Sequence, residues 1–201
     1  MKTEGARREN RSWGRKRWLA GLLLAVAGVA SAGLGPQSAR GQRPSRDEVE
    51  AAYLYNFGKF VRWPAASGRG ALVLCVAAPD SFTHALSSLA TGEQIDQRPL
   101  TVKTVNDPRA VEGCSILYLG SSEPERVDTY LTAASGKPIL TVGDTPDFLA
   151  RGGTIQFVLM QDHIRFSVNL SAASRCGLGL SSELLKVAVS VTGRPGTGGA
   201  R

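Results

Sequence analysis

The chain has 201 residues, of which 42% are hydrophobic and 20% charged, enough for one well-filled core but short for two full domains. That excludes a disordered chain and a multi-domain machine. The formal net charge of +7 is concentrated in residues 1–32, which hold seven Lys and Arg and two Glu, leaving 17 basic against 15 acidic side chains in residues 33–201. A nucleic-acid surface needs its basic residues on the folded part, so nucleic acid is not an expected partner.

Arg15-Lys16-Arg17 precedes an apolar run from Trp18 to Val29, which ends at Ala30-Ser31-Ala32. Basic, apolar and small residues in that order are those of a Sec-type signal peptide over residues 1–32. The competing reading is a retained anchor, since about 17 apolar residues lie at the lower limit for spanning a bilayer. Arg7-Arg8 is followed by Glu9-Asn10 and not by apolar residues, which argues against a twin-arginine signal. A chain led by such a segment is expected to work outside the cytoplasm. Residues 33–45 are rich in Gly, Pro, Ser, Gln and Arg and suit a flexible lead-in, 46–192 a folded domain, and the Gly-rich 193–201 a disordered tail.

The domain begins with Ser45-Arg46-Asp47-Glu48, a capping-box pattern, followed by Val49, Tyr53, Phe57 and Phe60 at helical spacing. Glu48, Tyr55, Lys59 and Arg62 form the other face, and Trp63-Pro64 stops the helix. The aromatic group Tyr55, Phe57, Phe60 and Trp63 is either core packing or a surface for a partner or membrane. Short apolar runs then alternate with helix-like segments. Strands are expected at 71–77, 100–105, 115–119 and 138–142, and helical segments at 81–90 (capped by Asp80 or Ser81), 108–112, 124–133 and 144–151. An antiparallel hairpin is expected from 154–161 and 164–169, turning at Asp162-His163, and terminal helices at 170–176 and 182–191. The alternation predicts an α/β fold, a single-domain sandwich with a mostly parallel, mixed, doubly wound-like sheet, an N-terminal amphipathic helix and C-terminal helices.

A doubly wound order of 2-1-3 makes the first and third strands neighbours, and with them Cys75 and Cys114. Thiols in an oxidising compartment tend to pair, and closing a loop of about 40 residues would contribute roughly 4 kcal/mol in the chain-entropy model. Two reduced core cysteines are the other reading. Three cysteines leave at least one thiol over, and Cys176, beside Gly177, reads as inert or partly buried. No Cys-x-x-Cys pair exists and neither His84 nor His163 has ligand spacing to a cysteine, so neither a metal nor another cofactor is expected.

Catalytic signatures are weak. Gly120-Ser121-Ser122 follows a strand and precedes a helix but lacks the flanking spacing of a nucleophile elbow. The run from Gly177 to Ser182 resembles half a phosphate loop, yet a helix C-cap followed by a new N-cap explains it better. Asp144 and Asp147 could serve acid–base work, with capping of a short helix the cheaper explanation. A phosphorylation receiver fails because the third strand ends Leu119-Gly120-Ser121, without an acid. The chain is therefore not expected to be an enzyme. If a small ligand is bound, Asp80, Ser121 and Asp144 at the carboxyl ends of the strands mark the crevice for it.

Three stretches together resemble the YfiR-like family of exported proteins. They are Tyr55-Asn56-Phe57-Gly58-Lys59-Phe60-Val61-Arg62-Trp63-Pro64, then Ile139 to Asp144 running on through Phe148-Leu149-Ala150-Arg151-Gly152-Gly153, and then Ile164 to Leu170 continuing to Leu178-Gly179-Leu180-Ser181-Ser182-Glu183-Leu184-Leu185. The resemblance covers residues 47–191. It implies a periplasmic regulator that binds the periplasmic domain of an inner-membrane diguanylate cyclase or related sensor, lowering cyclic di-GMP signalling and biofilm formation. It also implies that Cys75 and Cys114 form the family's first disulfide, whereas Cys176 alone offers no counterpart to a second. The aromatic helix and the Arg151-Gly152-Gly153 turn are the candidate contacts, and a homodimer is a further pairing left open.

Overall fold

The computed structural model describes residues 43–67, 70–122 and 124–194. The signal peptide, most of the lead-in and most of the tail expected from the sequence lie outside the described residues. Among the described residues no helix is long and apolar enough to cross a membrane.

Helix α1 (Arg46–Phe60) opens with the expected capping box: the Ser45 hydroxyl accepts from the Glu48 amide and the Glu48 carboxylate accepts from the Ser45 amide. Its buried face is Glu50, Ala51, Leu54, Phe57 and Gly58, one position off the stripe expected from Val49, Tyr53, Phe57 and Phe60. Phe60 is 38% exposed, whereas the carboxylate of Glu50 goes inside because it finds charged and hydroxyl partners there. After α1 the chain forms β1 (Val61–Arg62), β2 (Leu72–Ala77), α2 (Asp80–Ala90), β3 (Gln94–Ile95), β4 (Arg98–Thr104) and β5 (Ile116–Leu119). Next come α3 (Val127–Ala134), β6 (Leu140–Gly143), β7 (Ile155–Met160), β8 (His163–Asn169), α4 (Leu170–Arg175), β9 (Gly179–Leu180), α5 (Ser182–Val187) and β10 (Ser190–Thr192).

The main sheet runs β10-β8-β7-β6-β5-β2-β4-β3. Its pairs are parallel from β4 through β2, β5 and β6 to β7, antiparallel at β7–β8 and β3–β4, and parallel again at β8–β10. The 2-1-3 order is present as β4-β2-β5, so the fold is a mixed, mostly parallel α/β sheet flanked by helices. Alternation along the buried strands sends side chains to two cores. Leu72, Leu74 and Val76 of β2 and Ile116 and Tyr118 of β5 face α1 and α2, while Cys75, Ala77, Leu117 and Leu119 face α3. Cys75 and Cys114 are joined by a disulfide in the second core, with Cα atoms 5.8 Å apart; Cys114 sits two residues ahead of β5 rather than in it.

Four expectations are corrected. Helix α2 starts at Asp80, so neither Asp80 nor Ser81 caps it; the cap position is Pro79, which offers no side-chain acceptor. Residues 144–151 form successive turns and not a helix, because Asp147 adopts a left-handed φ of 61°. The hairpin turns at Gln161-Asp162, both with left-handed φ, which matches the twist of the two strands; His163 is instead the first residue of β8, opposite Met160. Helix α5 ends at Val187, and Val189 and Val191 continue into an edge strand, as β-branched residues at alternate positions favour.

The motifs of the family resemblance meet in space. The ribbon β1–β9 pairs Val61 with Leu180 and Arg62 with Gly179, joining the end of the first motif to the third. Gly177 takes a left-handed φ of 67° at the end of α4, and the Ser181 hydroxyl then caps α5 by accepting from the Leu184 amide. In the second motif, Gly143 and Gly153 flank the buried ring of Phe148, leaving no room for a Cβ at either position.

Candidate functional site

A polar cluster lies at the carboxyl ends of β2, β5 and β6. Chain connections leave β2 toward β4 on one side and return past it to β5 on the other, so the switch of direction falls between β2 and β5, where doubly wound sheets bind ligands. A crevice of about 300 Å³ opens there, bordered by Ala78 and Pro79 after β2, Gly120, Ser121 and Ser122 after β5, Asp144 after β6, and Arg46 and Asp47 of α1. Gly120 lets the strand ends close up, since a Cβ there would stand 2.9 Å from that of Ala78.

Arg46 bridges two carboxylates. Its Nε donates to Glu50 Oε1 at 2.6 Å and its Nη2 to Asp144 Oδ2 at 3.0 Å. The Ser121 hydroxyl also donates to Asp144 Oδ2, at 3.0 Å, and the Tyr118 hydroxyl donates to Glu50 Oε2 at 2.6 Å. The Tyr118 ring stacks on Phe82 at 4.0 Å beneath the crevice. Burial lifts the Glu50 carboxyl above its ordinary range, against the opposing pull of Tyr118 and Arg46. Burial, then the charges of Asp144 and Glu50, raise the Tyr118 phenol far above its own, while the Glu50 carboxylate holds Arg46 firmly protonated.

Of the three crevice residues expected from the sequence, Ser121 and Asp144 are brought together and Asp80 is not among those that line it. Asp144 has no helix to cap and serves as an acceptor for Ser121 and Arg46. Sequence reasoning missed Glu50 and Tyr118. The signal for Glu50 was its spacing, four residues after Arg46 and in step with Leu54, Phe57 and Val61 on the buried side. The Ser121 hydroxyl faces the Asp144 carboxylate, and no histidine is among the residues that line the crevice. Among the described residues no group of His, Cys, Asp and Glu has the arrangement of a metal centre.

The aromatic group divides. Phe57 is buried with Tyr53, Phe157 and Phe166, and Trp63 packs against the same core while its Nε1 donates to the Ser115 carbonyl. Tyr55 is half-buried, bonded to Glu93 and covered by Lys59, Trp63 is likewise half-buried, and Phe60 is the exposed member of the group. Burial removes Phe57 as a partner contact. The Arg151 guanidinium is tied to Asp128 Oδ1 at 2.7 Å and to the Pro124 carbonyl.

A solved structure described as a conserved domain protein from Vibrio cholerae O1 biovar El Tor strain N16961 superposes with a TM-score of 0.53 at 12% identity. The match covers 74% of this chain and 60% of that one, and at this identity it is a likeness of fold. The sequence relationship is carried by the family model described as YfiR/HmsC-like, which matches residues 47–189, nearly the whole of the described domain. With its three motifs packed into one ribbon, one glycine-flanked ring and one sheet, the chain belongs to the YfiR/HmsC-like family.

Proposed function

We propose that the protein is a periplasmic regulator that restrains an inner-membrane diguanylate cyclase or related sensor by binding its periplasmic domain, lowering cyclic di-GMP signalling and biofilm formation. The observation that carries this reading is membership of a family known for periplasmic regulation rather than catalysis, over residues 47–189. The disulfide between Cys75 and Cys114 supports an oxidising compartment. Restraint requires tighter binding to the inactive state of the partner than to the active one, because equal affinity for both shifts nothing. Phe60, exposed at the end of α1, and Tyr55 one helix face away are the contacts we assign to this surface.

The test is binding of the purified protein to the isolated periplasmic domain of a membrane cyclase encoded beside it. Saturable binding that Phe60→Ala weakens, together with lower cyclic di-GMP on co-expression, is the expected result. Absence of binding to every co-encoded membrane sensor would remove the proposal.

A further inference from the structure

The crevice at the carboxyl ends of β2, β5 and β6 contains an incomplete hydrogen-bonding arrangement. The Asp144 side chain is only 6% exposed, and while its Oδ2 takes two donors, its Oδ1 is buried with no hydrogen-bond partner at all. A buried carboxylate oxygen without a donor is destabilising, and a donor supplied from the crevice would offset that. The charges around it are also unbalanced. Two carboxylates, Asp144 and Glu50, share the single guanidinium of Arg46, whose side chain is 51% exposed, and a third, Asp47, borders the crevice. The N-terminus of α2 at Pro79 adds partial positive charge, but Asp80 in its first turn offsets it. An anion entering this crevice would meet the carboxylates, whereas a cation with N–H donors completes the set.

We propose that this crevice binds a small ligand through a protonated amine, with Asp144 as the acceptor. The ammonium group sits against Asp144, whose carboxylate turns about its last bond to bring the unpartnered oxygen to the crevice, while the apolar part of the ligand lies along Ala78 and Pro79. The volume of about 300 Å³ limits the occupant to a small molecule. This site is separate from the contact surface assigned to Phe60, so either can fail without the other.

Three probes of nearly equal size separate the alternatives: propylammonium, 1-propanol and propionate, each titrated into the purified isotope-labelled protein near neutral pH and followed by amide shifts. Saturable shifts centred on Gly120, Ser121, Ser122 and Asp144 with propylammonium alone are the expected result. Asp144→Asn should weaken that binding about tenfold or more. Because Asp144→Asn also removes the ion pair to Arg46, a second variant, Ser122→Trp, closes the mouth of the crevice at an exposed position and leaves the carboxylate in place; it too should abolish the shifts. Saturation by propionate, equal responses to all three probes, no saturable response, or binding that survives both variants would each overturn the proposal.

Discussion

The Tyr118 hydroxyl donates to Glu50 Oε2 at 2.6 Å between β5 and α1, with both residues at most 2% exposed. With Arg46 on the other carboxylate oxygen, the bond fixes the first half of α1 over the sheet and sets the wall of the crevice. A carboxylate here is satisfied but desolvated, and stability should register that as a dependence on pH.

The pKa of Glu50 is raised in the folded state, so between its ordinary value of 4.5 and the raised one the folded protein binds more protons than the unfolded chain. Stability therefore rises as pH falls through that window and is lost as pH climbs through the folded pKa. Asp107 and Asp128 act in the opposite sense, being lowered by their hydrogen bonds to Arg109 and Arg151, but they lose their contribution only as pH falls below their ordinary range. Urea midpoints should increase as pH falls from neutral toward the ordinary glutamate range, and Glu50→Gln should flatten the change. Equal slopes for the parent and the variant would contradict this role for Glu50.

The disulfide spans 39 residues and links the β2 strand to the segment entering β5, inside the second core. Removing it with Cys75→Ser and Cys114→Ser together should cost roughly 2–5 kcal/mol, partly through the greater conformational entropy of the unfolded chain and partly through two hydroxyls placed in an apolar core. Denaturant unfolding of the parent with and without prior reduction should show a smaller loss in the same direction, since reduction opens the bridge without burying two hydroxyls. Midpoints that coincide would mean that the bridge carries no stability.

The sequence made the parallel centre of the sheet legible because β2, β5 and β6 are short apolar runs buried on both faces, bounded by turn residues. The capping box at Ser45 and the cap at Ser181 were legible for a similar reason, since each depends only on residues a few positions apart. The strand β10 was not, because Val187, Val189 and Val191 fit a helix end as well as an edge strand, and only pairing with β8 decides. In the crevice, Ser121 and Asp144 could be placed from the topology alone. For Glu50 only the spacing on the helix was legible; the hydroxyl that satisfies it lies 68 residues away and local pattern could not supply it.

Phe148 explains the glycines of the second motif more directly than any contact role for them. A Cβ at Gly143 would come within 2.5 Å of its ring, and one at Gly153 closer still. Gly153→Ala should therefore overpack the second core and cost about 1–3 kcal/mol. Gly136, with a φ of 69° but open space around it, should lose only about 1 kcal/mol as Gly136→Ala, from backbone strain alone. Thermal unfolding of the two variants checks the order; a Gly136→Ala variant as damaged as Gly153→Ala would remove the packing account.

Cys176 remains as a free thiol, half-buried at the end of α4 and lining a second cavity, of about 400 Å³, with Thr141, Arg151 and Arg175. Burial pushes its pKa up, and this outweighs a hydrogen bond with the Gly136 backbone and the nearby charge of Arg175. Because the thiolate is the nucleophile, a raised pKa lowers the reactive fraction near neutral pH, and partial burial slows access further. Under non-reducing conditions a disulfide reagent should therefore titrate one thiol in the denatured chain and react several-fold more slowly with the native one, the native rate climbing as pH is raised. Equal native and denatured rates at neutral pH would show an activated, exposed cysteine and would remove this account of Cys176.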